Sequence, residues 1–541
     1  MAKSAENVSL QPVTKGMQSN YSHYVASPNS WSWLENFDCD TLGILKTRPN
    51  INRTGTTNSV VLGAGIFERG SSARFLIKVG TELYNMQADV VGTPNLTSGT
   101  FLDSFEIARF DTCQGATIIA CRRDGLRLTL DGNTITNFLS VRLGASDQID
   151  LVNAGFSGRI WGAVSNNFLS TFIQDQLYYS DVIPTSGIQN TTGSGQFLKV
   201  NTKGKYITGL MEDKNILYVF TSDSIFRVYS TQSLDNAPFA NVGTTRQEAI
   251  VKTFDSIFFM HYTGVYEINN GQVSKISQPI DDVIQKFFIP FISQGTNNLQ
   301  RVFSWFDDKA IYFSIDMNTG YAGVSANVDR TYILRYNYVE KLWTVTSLKD
   351  FRLQYVVSKF FSNISALNNL ADLFPATRMF GQHLRTNNFL TGTFNMPTRY
   401  DGSKPMQLIN SYLGLGDWAN DTATSTDTTP IFSNAETQWI TFGEENTLKS
   451  ITGLSIPHQN AQGFQVMYQI DNENLEMSDR ENAKWTQIGT LDKNYVTFFR
   501  NFTFKDCYRI KLKISGQTLG QVVTIGVPAF LSVNTKGYGV N

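Results

Sequence analysis

The stretch ITGLMEDKNILYVFTSDSIFRVYS (residues 207–230) carries the pattern that decides the fold. An apolar strand, a few polar turn residues, a second apolar strand, a short turn and a third strand follow one another. Short apolar runs of this kind, bounded by Asn, Asp, Ser or Gly, are typical of antiparallel strands joined by hairpins. The stretch therefore predicts one small antiparallel sheet.

The same phrase recurs along the first two thirds of the chain at a spacing of roughly 40 to 50 residues, the period of a propeller blade. Each small sheet must stack on its neighbours to bury both faces. We therefore predict an all-β fold built on a six-bladed β-propeller. The six phrases lie at 73–87, 116–133, 168–182, 207–230, 248–272 and 300–316.

The pattern weakens after Met396, and GDWANDTATSTDTTPIFSNAET (416–437) is polar and rich in Thr, which is typical of a linker or long loop. Beyond it, six alternating segments match a small antiparallel sandwich. We expect this sandwich to fold separately, with a core drawn from Trp485, Phe498, Phe499, Tyr508, Ile510 and Leu512. The predicted parts are an N-terminal arm leading into the propeller (1–58), the β-propeller (59–415), a linker (416–434) and a C-terminal antiparallel β-sandwich (435–541).

One segment, ISQPIDDVIQKFFIPFIS (276–293), has helical spacing of its apolar residues. Ser277 is a candidate N-cap, Pro279 fits the first turn, and Asp281 and Asp282 suit the positive end of a helix. We predict a short amphipathic helix that packs on the propeller rim. Docking of a partner is the alternative role.

The composition excludes several classes of protein. The chain has 541 residues, and its 45 Lys and Arg nearly cancel its 46 Asp and Glu, so no strong field attracts polyanions. The N-terminus lacks an apolar signal region, and no run approaches the ~18 apolar residues of a membrane span. The four cysteines form no CxxC pair, which argues against zinc and for folding in a reducing compartment.

No grouping of residues with catalytic chemistry is visible, and no Walker loop, GxSxG elbow or Rossmann fingerprint occurs. Consecutive acidic side chains in a strand or turn point apart, so we interpret the acidic pairs as solvated loop charges and DNENLEMSDRE (471–481) as a hairpin loop rather than a calcium site. We predict no catalytic, cofactor-binding or metal site, no cofactor and no enzymatic activity. The scattered histidines are His23, His261, His383 and His458, and the acidic pairs are Asp281-Asp282, Asp307-Asp308 and Glu444-Glu445.

Three arginines, Arg122, Arg123 and Arg127, surround the hairpin signal Asp124-Gly125. They predict a basic hairpin tip. Such a tip either solvates a turn or contacts phosphate, and both interpretations stay open.

Two stretches of the first half carry a resemblance to a known family. WSWLENFDCDTLGILKTRPN (31–50) has Asn36, a turn at Gly43 and then Arg48-Pro49. ITGLMEDKNILYVFTSDSIFRV (207–228) is followed at 242–284 by a stretch in which Gly243 precedes Glu248 and Gly264 sets a hairpin before Val265 and Tyr266. We expect positive φ at both central glycines.

Two later stretches extend the resemblance, while residues 350–435 lie outside it. In TYILRYNYVEKLWTV (331–345), Tyr336 and Asn337 lead into a turn and Trp343 closes a sheet. LKSITGLSI, KWTQIG and YRIKLKISG (448–456, 484–489 and 508–516) carry Trp485 and Arg509.

With these segments, the chain resembles the tail nozzle or tail-hub proteins of short-tailed bacteriophages, called packaged-DNA stabilisation proteins or tail tubular protein B. The resemblance implies a virion tail protein that assembles in the host bacterial cytoplasm as a ring, expected to be hexameric. Its partners would be portal-proximal adaptor proteins and tail fibres or other tail proteins. The ring would line the DNA exit channel with only transient contact to the genome, retaining it and then permitting its ejection.

Two other classes remain open. A carbohydrate-binding or carbohydrate-cleaving phage propeller, such as a depolymerase or receptor-binding protein, needs an aromatic platform, which tryptophans such as Trp161, Trp305 and Trp418 could supply. Core packing is the alternative role for these tryptophans. A cellular protein-interaction propeller predicts a fixed repeat, and none is present.

Overall fold

The structure is a computed structural model and consists almost entirely of β-strands joined by turns. No helix among the residues that it describes is long and apolar enough to cross a membrane. The residues it describes are 6–21, 25–39, 42–48, 51–57, 61–69, 72–87, 95–101, 106–122, 124–137, 149–165, 175–183, 196–285, 302–306, 310–316, 330–349, 351–361, 374–383, 389–394, 430–443, 447–471, 485–500, 504–518 and 522–536.

Five strands precede the first complete blade, and they do not form a sheet of their own. Each pairs with a strand from a later part of the chain or lies beside one that does. They are β1 (Glu6–Ser9), β2 (Trp31–Glu35), β3 (Phe37–Cys39), β4 (Leu45–Thr47) and β5 (Ile51–Thr57).

The next sixteen strands form four antiparallel sheets of four strands each, which follow one another along the chain as blades 1 to 4. In every blade consecutive strands pair in order, as hairpins require. The strands are β6 (Val61–Arg69), β7 (Ser72–Val79), β8 (Glu82–Gln87), β9 (Asn95–Thr100), β10 (Ala108–Cys113), β11 (Ala116–Cys121), β12 (Gly125–Thr129), β13 (Thr136–Asn137), β14 (Leu151–Ala154), β15 (Ile160–Ala163), β16 (Gln176–Tyr179), β17 (Gln196–Lys199), β18 (Gly209–Asp213), β19 (Ile216–Phe220), β20 (Ile225–Ser230) and β21 (Ser233–Leu234).

Blades 5 and 6 continue this order, and blade 7 takes its fourth strand from the N-terminal arm. In blade 7, β5 pairs antiparallel with β32. The strands are β22 (Ile250–Lys252), β23 (Ile257–His261), β24 (Gly264–Asn269), β25 (Gln272–Lys275), β26 (Phe303–Phe306), β27 (Ala310–Asp316), β28 (Arg330–Asn337), β29 (Leu342–Lys349), β30 (Phe351–Phe361), β31 (Phe374–His383) and β32 (Phe389–Phe394).

The first strand of each blade contacts the first strand of the next, and β30 of blade 7 contacts β6 of blade 1. This closes a ring and makes the fold a β-propeller. Two glycines of β6 allow the close approach of blade 2, because a Cβ at Gly63 would lie 2.2 Å from the Ala108 carbonyl oxygen and one at Gly65 would lie 2.1 Å from Phe110 Cβ.

The blade count within the described residues is seven rather than the six predicted from sequence. Two features prevented blade 7 from being recognised in the sequence. Its strands β30 and β31 are separated by residues 362–373 instead of a short turn, and its fourth strand comes from residues 51–57. The arm predicted over 1–58 therefore contributes a strand to the propeller.

The last nine strands build the C-terminal sandwich together with β1 to β4. One layer is an eight-stranded sheet with the path β1-β41-β34-β40-β4-β3, in which β37 and β38 also pair with β34. The strands are β33 (Ile431–Thr437), β34 (Leu448–Gln459), β35 (Gln465–Asp471), β36 (Thr486–Thr490), β37 (Val496–Phe499), β38 (Phe504–Cys507), β39 (Arg509–Thr518), β40 (Thr524–Ile525) and β41 (Ala529–Lys536).

The other layer is continuous with blade 6. Its nine strands run β26-β27-β28-β29-β2-β33-β39-β35-β36, so that β2 joins the propeller to the sandwich. It pairs in parallel with β29 through Glu35 and Val345, and antiparallel with β33. The linker predicted at 416–434 thus ends inside strand β33, and its residues 416–429 lie outside the described ranges.

The hydrophobic core does not divide at the end of the propeller. One cluster of buried residues combines Phe258 and Met260 of blade 5, Leu334 of blade 6, and Ile451 and Leu512 of the sandwich. Such a continuous core gives the two parts a common packing interior. It differs from the two separate cores expected from sequence.

The residues proposed for the sandwich core fall into three groups. Ile510 and Leu512 are fully buried, as predicted. Phe499 is partly buried and packs against the core, and Tyr508 is of intermediate exposure. Phe498 is 50% exposed, so its assignment to the core is wrong. Trp485 is also wrongly assigned, because its ring covers Lys511 and Lys513, which point away from the core.

The predicted helix begins with a 3₁₀ turn, Gln278–Ile280, continues as a helix at 281–285, and then leaves the described residues. Pro279 lies in the first turn as expected, but Ser277 makes no side-chain cap. Its Oγ instead accepts the Val265 N–H at 2.9 Å and donates to Asp281 at 2.7 Å. Ile280 and Ile284 are fully buried in the core, which supports the packing role. The remaining 3₁₀ helices are Phe156–Gly158 and Gln247–Ala249.

Candidate functional site

A network of buried charges occupies the propeller axis. Arg109 lies on β10, the innermost strand of blade 2, and Glu248 lies in the short 3₁₀ helix before β22 of blade 5. Arg109 Nε donates to Glu248 Oε1 at 2.8 Å. Blades 2 and 5 are separated by two blades on one side of the ring and three on the other, so this ion pair spans the axis.

The second carboxylate of the network is Asp150, which precedes β14 of blade 3. Arg109 Nη1 donates to the Asp150 carbonyl at 2.9 Å, and its distance to Asp150 Oδ2 is 3.4 Å. Asp150 also accepts the Ser165 N–H at 2.7 Å and pairs with Arg122 at 3.1 Å. These bonds connect blades 2, 3 and 5 to one another.

Arg109 and Glu248 both stay charged at neutral pH. Burial alone would raise the pKa of Glu248, but Arg109 and Arg246 outweigh it and lower that pKa to about 2. Burial would lower the pKa of Arg109, but the carboxylates of Glu248 and Asp150 raise it. Burial raises the pKa of the neighbouring Tyr355 hydroxyl. None of these groups is poised to exchange a proton near pH 7.

A small cavity of about 130 Å³ adjoins the network. The cavity is lined by inner strands of blades 1, 2, 6 and 7 and by the start of blade 5. On one side, Ser304 donates to the Glu248 carbonyl at 2.9 Å. A space of this size holds a few water molecules. The axis is therefore closed by side chains at this level.

A second buried cluster lies where the N-terminal arm crosses between blade 6 and the sandwich. We call it the joint and define it by Asn36, Arg48, Ser347 and the main chain of Phe432. Arg48 Nε donates to Asn36 Oδ1 at 2.7 Å, and Arg48 Nη2 donates to the Ser347 carbonyl at 3.1 Å. Asn36 and Arg48 are only 2% and 4% exposed.

Asn36 connects all three parts of the joint. Its Nδ2 donates to Ser347 Oγ at 2.9 Å and to the Phe432 carbonyl at 2.6 Å, while its Oδ1 accepts the Ser347 N–H at 2.9 Å. Its φ is 58°, a left-handed conformation that Asn tolerates better than most residues. The resemblance segment at 31–50 therefore supplies the residues that fasten β29 to β33.

The similarity of the chain to known proteins is limited to solved structures. No family model matches the chain, and no curated protein matches it. The similar solved structures include YCF48 from Cyanidioschyzon merolae, at 11% identity and a TM-score of 0.38, covering 64% of this chain and 100% of that one. The Pan2 WD40 domain of Neurospora crassa has 7% identity and a TM-score of 0.38, covering 64% and 97%. YCF48 bound to D1 peptide has 10% identity and a TM-score of 0.37, covering 67% and 96%.

The two histidines whose side chains the structure describes lie in different parts of the fold, one in blade 5 and one in the sandwich. His261 is buried in blade 5 with Nδ1 2.7 Å from Thr263 Oγ1, and burial lowers its pKa to about 4. His458 lies in the sandwich with Nε2 2.8 Å from Thr497 Oγ1, and burial lowers its pKa as well. His23 and the side chain of His383 lie outside the described part of the chain. Among the residues that are described, no group of three His, Cys, Asp or Glu could hold a metal ion.

The interpretation as solvated charges is wrong for Asp281, which is buried, and is confirmed for Asp282, which is exposed. Asp281 is 8% exposed and pairs with Lys275 at 2.5 Å, and Asp282 accepts a hydrogen bond from Ser19 at 2.6 Å. Both carboxylates tie the short helix to neighbouring segments. Asp307-Asp308, Glu444-Glu445 and 472–481 lie outside the described ranges, and Asp471 pairs with Arg509.

The prediction of a basic hairpin tip is also wrong for Arg122 and Arg127, the two arginines that the structure describes. Arg122 pairs with Asp150 at 3.1 Å and Arg127 pairs with Asp124 at 2.6 Å. Their charges are therefore compensated inside blade 2 and the axis network. Arg123 lies outside the described residues.

The expectation of positive φ is confirmed for Gly264, whose φ is 148°. It is wrong for Gly243, which is absent from the left-handed residues and is needed for another reason. A Cβ at Gly243 would lie 2.0 Å from the Thr221 carbonyl oxygen. Close packing of blade 4 against the chain entering blade 5 therefore requires this glycine.

Two of the three tryptophans considered as platforms are core residues. Trp161 is fully buried and donates to the Phe156 carbonyl at 2.9 Å, and Trp305 is 2% exposed and stacks on Tyr312. Trp418 lies outside the described residues. Trp343 lies on β29, where the sheet continues into β2 rather than closing, and its indole N–H donates to the Ile276 carbonyl at 3.1 Å.

Sequence reasoning did not identify Arg109 or Asp150. Their one local signal is an arginine early in the strand ARFDTC, where an inward-facing apolar residue would be expected. Asp150 stands just before a buried strand with nothing to distinguish it. Their role depends on which blades face each other across the axis, and that is a property of the closed ring.

Proposed function

We propose that the chain is a structural subunit of the tail of a short-tailed bacteriophage, forming a ring that lines the DNA exit channel, retains the packaged genome and permits its ejection. The ring is expected to be hexameric and to contact adaptor proteins near the portal and tail fibres or other tail proteins. The resemblance of the segments at 31–50, 207–228, 242–284, 331–345 and the C-terminal sandwich supports this role.

The observation that carries the proposal is the nine-stranded sheet that joins blade 6 to the sandwich. Within the described residues, main-chain pairing across β29, β2 and β33, together with the joint, fixes blade 6 to the sandwich. A rigid body suits a subunit that must bear load in a particle. A mobile two-domain enzyme instead needs a few residues that absorb domain motion.

The closed axis adds a geometric condition. The Arg109–Glu248 pair fills the centre of the propeller, so duplex DNA in such a ring would pass between subunits rather than through one propeller. The formal net charge of −1 provides few counterion-releasing contacts. Binding to duplex DNA should consequently be weak at physiological salt.

Negative-stain electron microscopy and mass photometry of the purified chain test the proposal. The expected result is a ring with a mass about six times the 60.6 kDa of one chain, and labelling of phage particles at the tail by antibodies against it. A chain that stays monomeric at micromolar concentration, or that turns over polysaccharide until a single Asp or Glu is replaced, would contradict it. So would duplex affinity at the level of a specific DNA-binding protein.

A further inference from the structure

In the sandwich, the nine-stranded sheet has an apolar inner face that packs on the core. Its outer face carries tryptophans and charged residues instead. Alternation along β39 sends Ile510, Leu512 and Ile514 into the core and the residues between them outward. We call this outer surface the tryptophan face. It consists of Trp33, Asn434, Glu436, Trp439, Asp471, Trp485, Arg509, Lys511 and Lys513.

Each of the three tryptophans, all half-buried, is held by a specific contact. The Trp485 ring centre lies 5.4 Å from Lys513 Nζ and 5.9 Å from Lys511 Nζ. The Trp439 ring centre lies 5.1 Å from Arg509 Cζ, and Trp33 Nε1 donates to Glu35 Oε2 at 3.1 Å. Rings fixed in this way lose little conformational entropy when a ligand stacks on them.

The charges of the face compensate one another. Glu436 pairs with Lys511 at 3.4 Å and with Lys513 at 3.1 Å, and Asp471 pairs with Arg509. Burial alone would raise the pKa of Glu436, but the two lysines outweigh it and lower that pKa. Lys511 and Lys513 share Glu436, and the third carboxylate is Glu35, which lies opposite Asn434 on the same side of the sheet. Three cations therefore meet three carboxylates, and the face has no excess charge to attract phosphates. A ligand without charge fits it best.

A second observation concerns Asn434, which is 7% exposed. Its Nδ2 donates to Glu436 Oε1 at 3.4 Å, but its Oδ1 is buried and accepts no hydrogen bond from the residues described. A buried acceptor without a donor costs free energy until a ligand or water satisfies it. The carboxylates nearby are already paired with Arg509 and the two lysines, so this amide oxygen is the group that requires a ligand with hydrogen-bond donors.

These two observations select the chemistry of the ligand. Sugar rings offer apolar C–H surfaces to aromatic rings and hydroxyl donors to amide and carboxylate oxygens. A proline-rich peptide also packs on aromatic grooves, but proline has no N–H to donate. The Asn434 Oδ1 acceptor would then stay unsatisfied.

The dimensions favour a chain of sugars over a single one. Trp33 on β2 and Lys513 on β39 lie two strands apart, about 10 Å, and Arg509 and Lys513 lie about 13 Å apart along one strand. We propose that the tryptophan face binds an uncharged oligosaccharide. This site lies on the sandwich, away from the propeller axis, and it does not depend on whether the chain forms a ring.

Affinity electrophoresis of the full chain tests the proposal. Native gels would contain dextran, laminarin, hydroxyethyl cellulose or galactomannan, with dextran sulfate as the charged counterpart. We expect at least one neutral polysaccharide to retard the wild-type chain. Retardation by none of them, or only by dextran sulfate with relief at high salt, would overturn the proposal.

Three variants locate the site. Trp485→Ala and Trp439→Ala should each weaken binding at least fivefold. Tyr495→Ala, which removes a 77% exposed aromatic from the turn between β36 and β37, should bind as the wild type does. Melting curves establish that the variants are folded. Equal retardation of all three variants would place binding elsewhere and refute the assignment to this face, and quenching of wild-type tryptophan fluorescence on titration gives an independent readout.

Discussion

The propeller axis and the joint each contain a buried arginine, but the two arginines meet different partners. Arg109 spans the axis between carboxylates, Glu248 and Asp150. Arg48 donates to a side-chain amide oxygen and a main-chain carbonyl at the joint. The axis thus depends on ionised groups, whereas the joint depends on the directions in which a planar guanidinium donates.

The difference indicates how each region responds to its surroundings. Ion pairs at the axis respond to pH because a carboxylate can be protonated. The amide and carbonyl acceptors at the joint do not titrate. Acid should therefore loosen the blades across the axis before it affects the connection between blade 6 and the sandwich.

The largest expected effect comes from removing the sandwich. Deletion of residues 431–541 takes away β33, the partner of β2, and removes the sandwich members of the shared core, among them Ile451 and Leu512. We expect the truncated chain to aggregate or to lose its cooperative thermal transition in circular dichroism. A sandwich that folds separately, as expected from sequence, would instead leave a soluble propeller that melts cooperatively after truncation near Ala435. That outcome, with a melting temperature within a few degrees of the full chain, would show that the shared core is dispensable.

The second effect concerns the axis. The pKa of Glu248 in the folded chain, about 2, lies below its ordinary 4.5. Its contribution to stability is therefore complete above about pH 4.5 and declines as the pH falls towards 2, by about 3 kcal/mol in total. Glu248→Gln should be less stable than the wild type at pH 7, and the difference should shrink in acid.

Urea denaturation at pH 3, 4, 5 and 7 measures this difference. Asp235→Asn is the control, because Asp235 pairs with Arg227 at a more exposed site on blade 4, where an ion pair contributes little. A difference between wild type and Glu248→Gln that stays constant from pH 3 to pH 7 would exclude the axis as the acid-sensitive element.

The smallest of the three effects tests the joint. Arg48→Lys keeps the charge, but one ammonium cannot reproduce the two directed bonds to Asn36 and Ser347. We expect a loss of about 2 kcal/mol in the free energy of unfolding, with little dependence on pH. Arg500→Lys, the same substitution at an exposed position, should change it by less than about 0.5 kcal/mol. Equal losses for both variants would mean that charge alone acts at position 48.

The local pattern was sufficient to predict the propeller because each blade is built mainly from neighbouring strands. In blade 4, β18 to β20 coincide with the phrase at 207–230. Blade 7 was missed because β5 and β32 are brought together only by closure of the ring. For the same reason β2 was not recognised as the strand between blade 6 and the sandwich.

The two buried clusters and the tryptophan face were harder to predict for a related reason. Asn36, Arg48 and Glu248 were noted as part of a resemblance, but their partners Ser347 and Arg109 lie more than a hundred residues away. Trp485 was assigned to a core because an aromatic residue next to a strand is usually buried. Only the register of β35 and β39 shows that it faces the other side, over two lysines.

The pairing of β5 with β32 has a consequence for how the protein is made. Strand β5 leaves the ribosome about 330 residues before its partner, from Thr57 to Phe389. At roughly 5 to 20 residues per second, this interval is on the order of half a minute. During that time its main-chain donors and acceptors have no native partner, and the nascent chain presents an open sheet edge that a second nascent copy could occupy. Synthesis on crowded polysomes would then favour exchange of β5 between neighbouring copies, and a slower rate of initiation would suppress it.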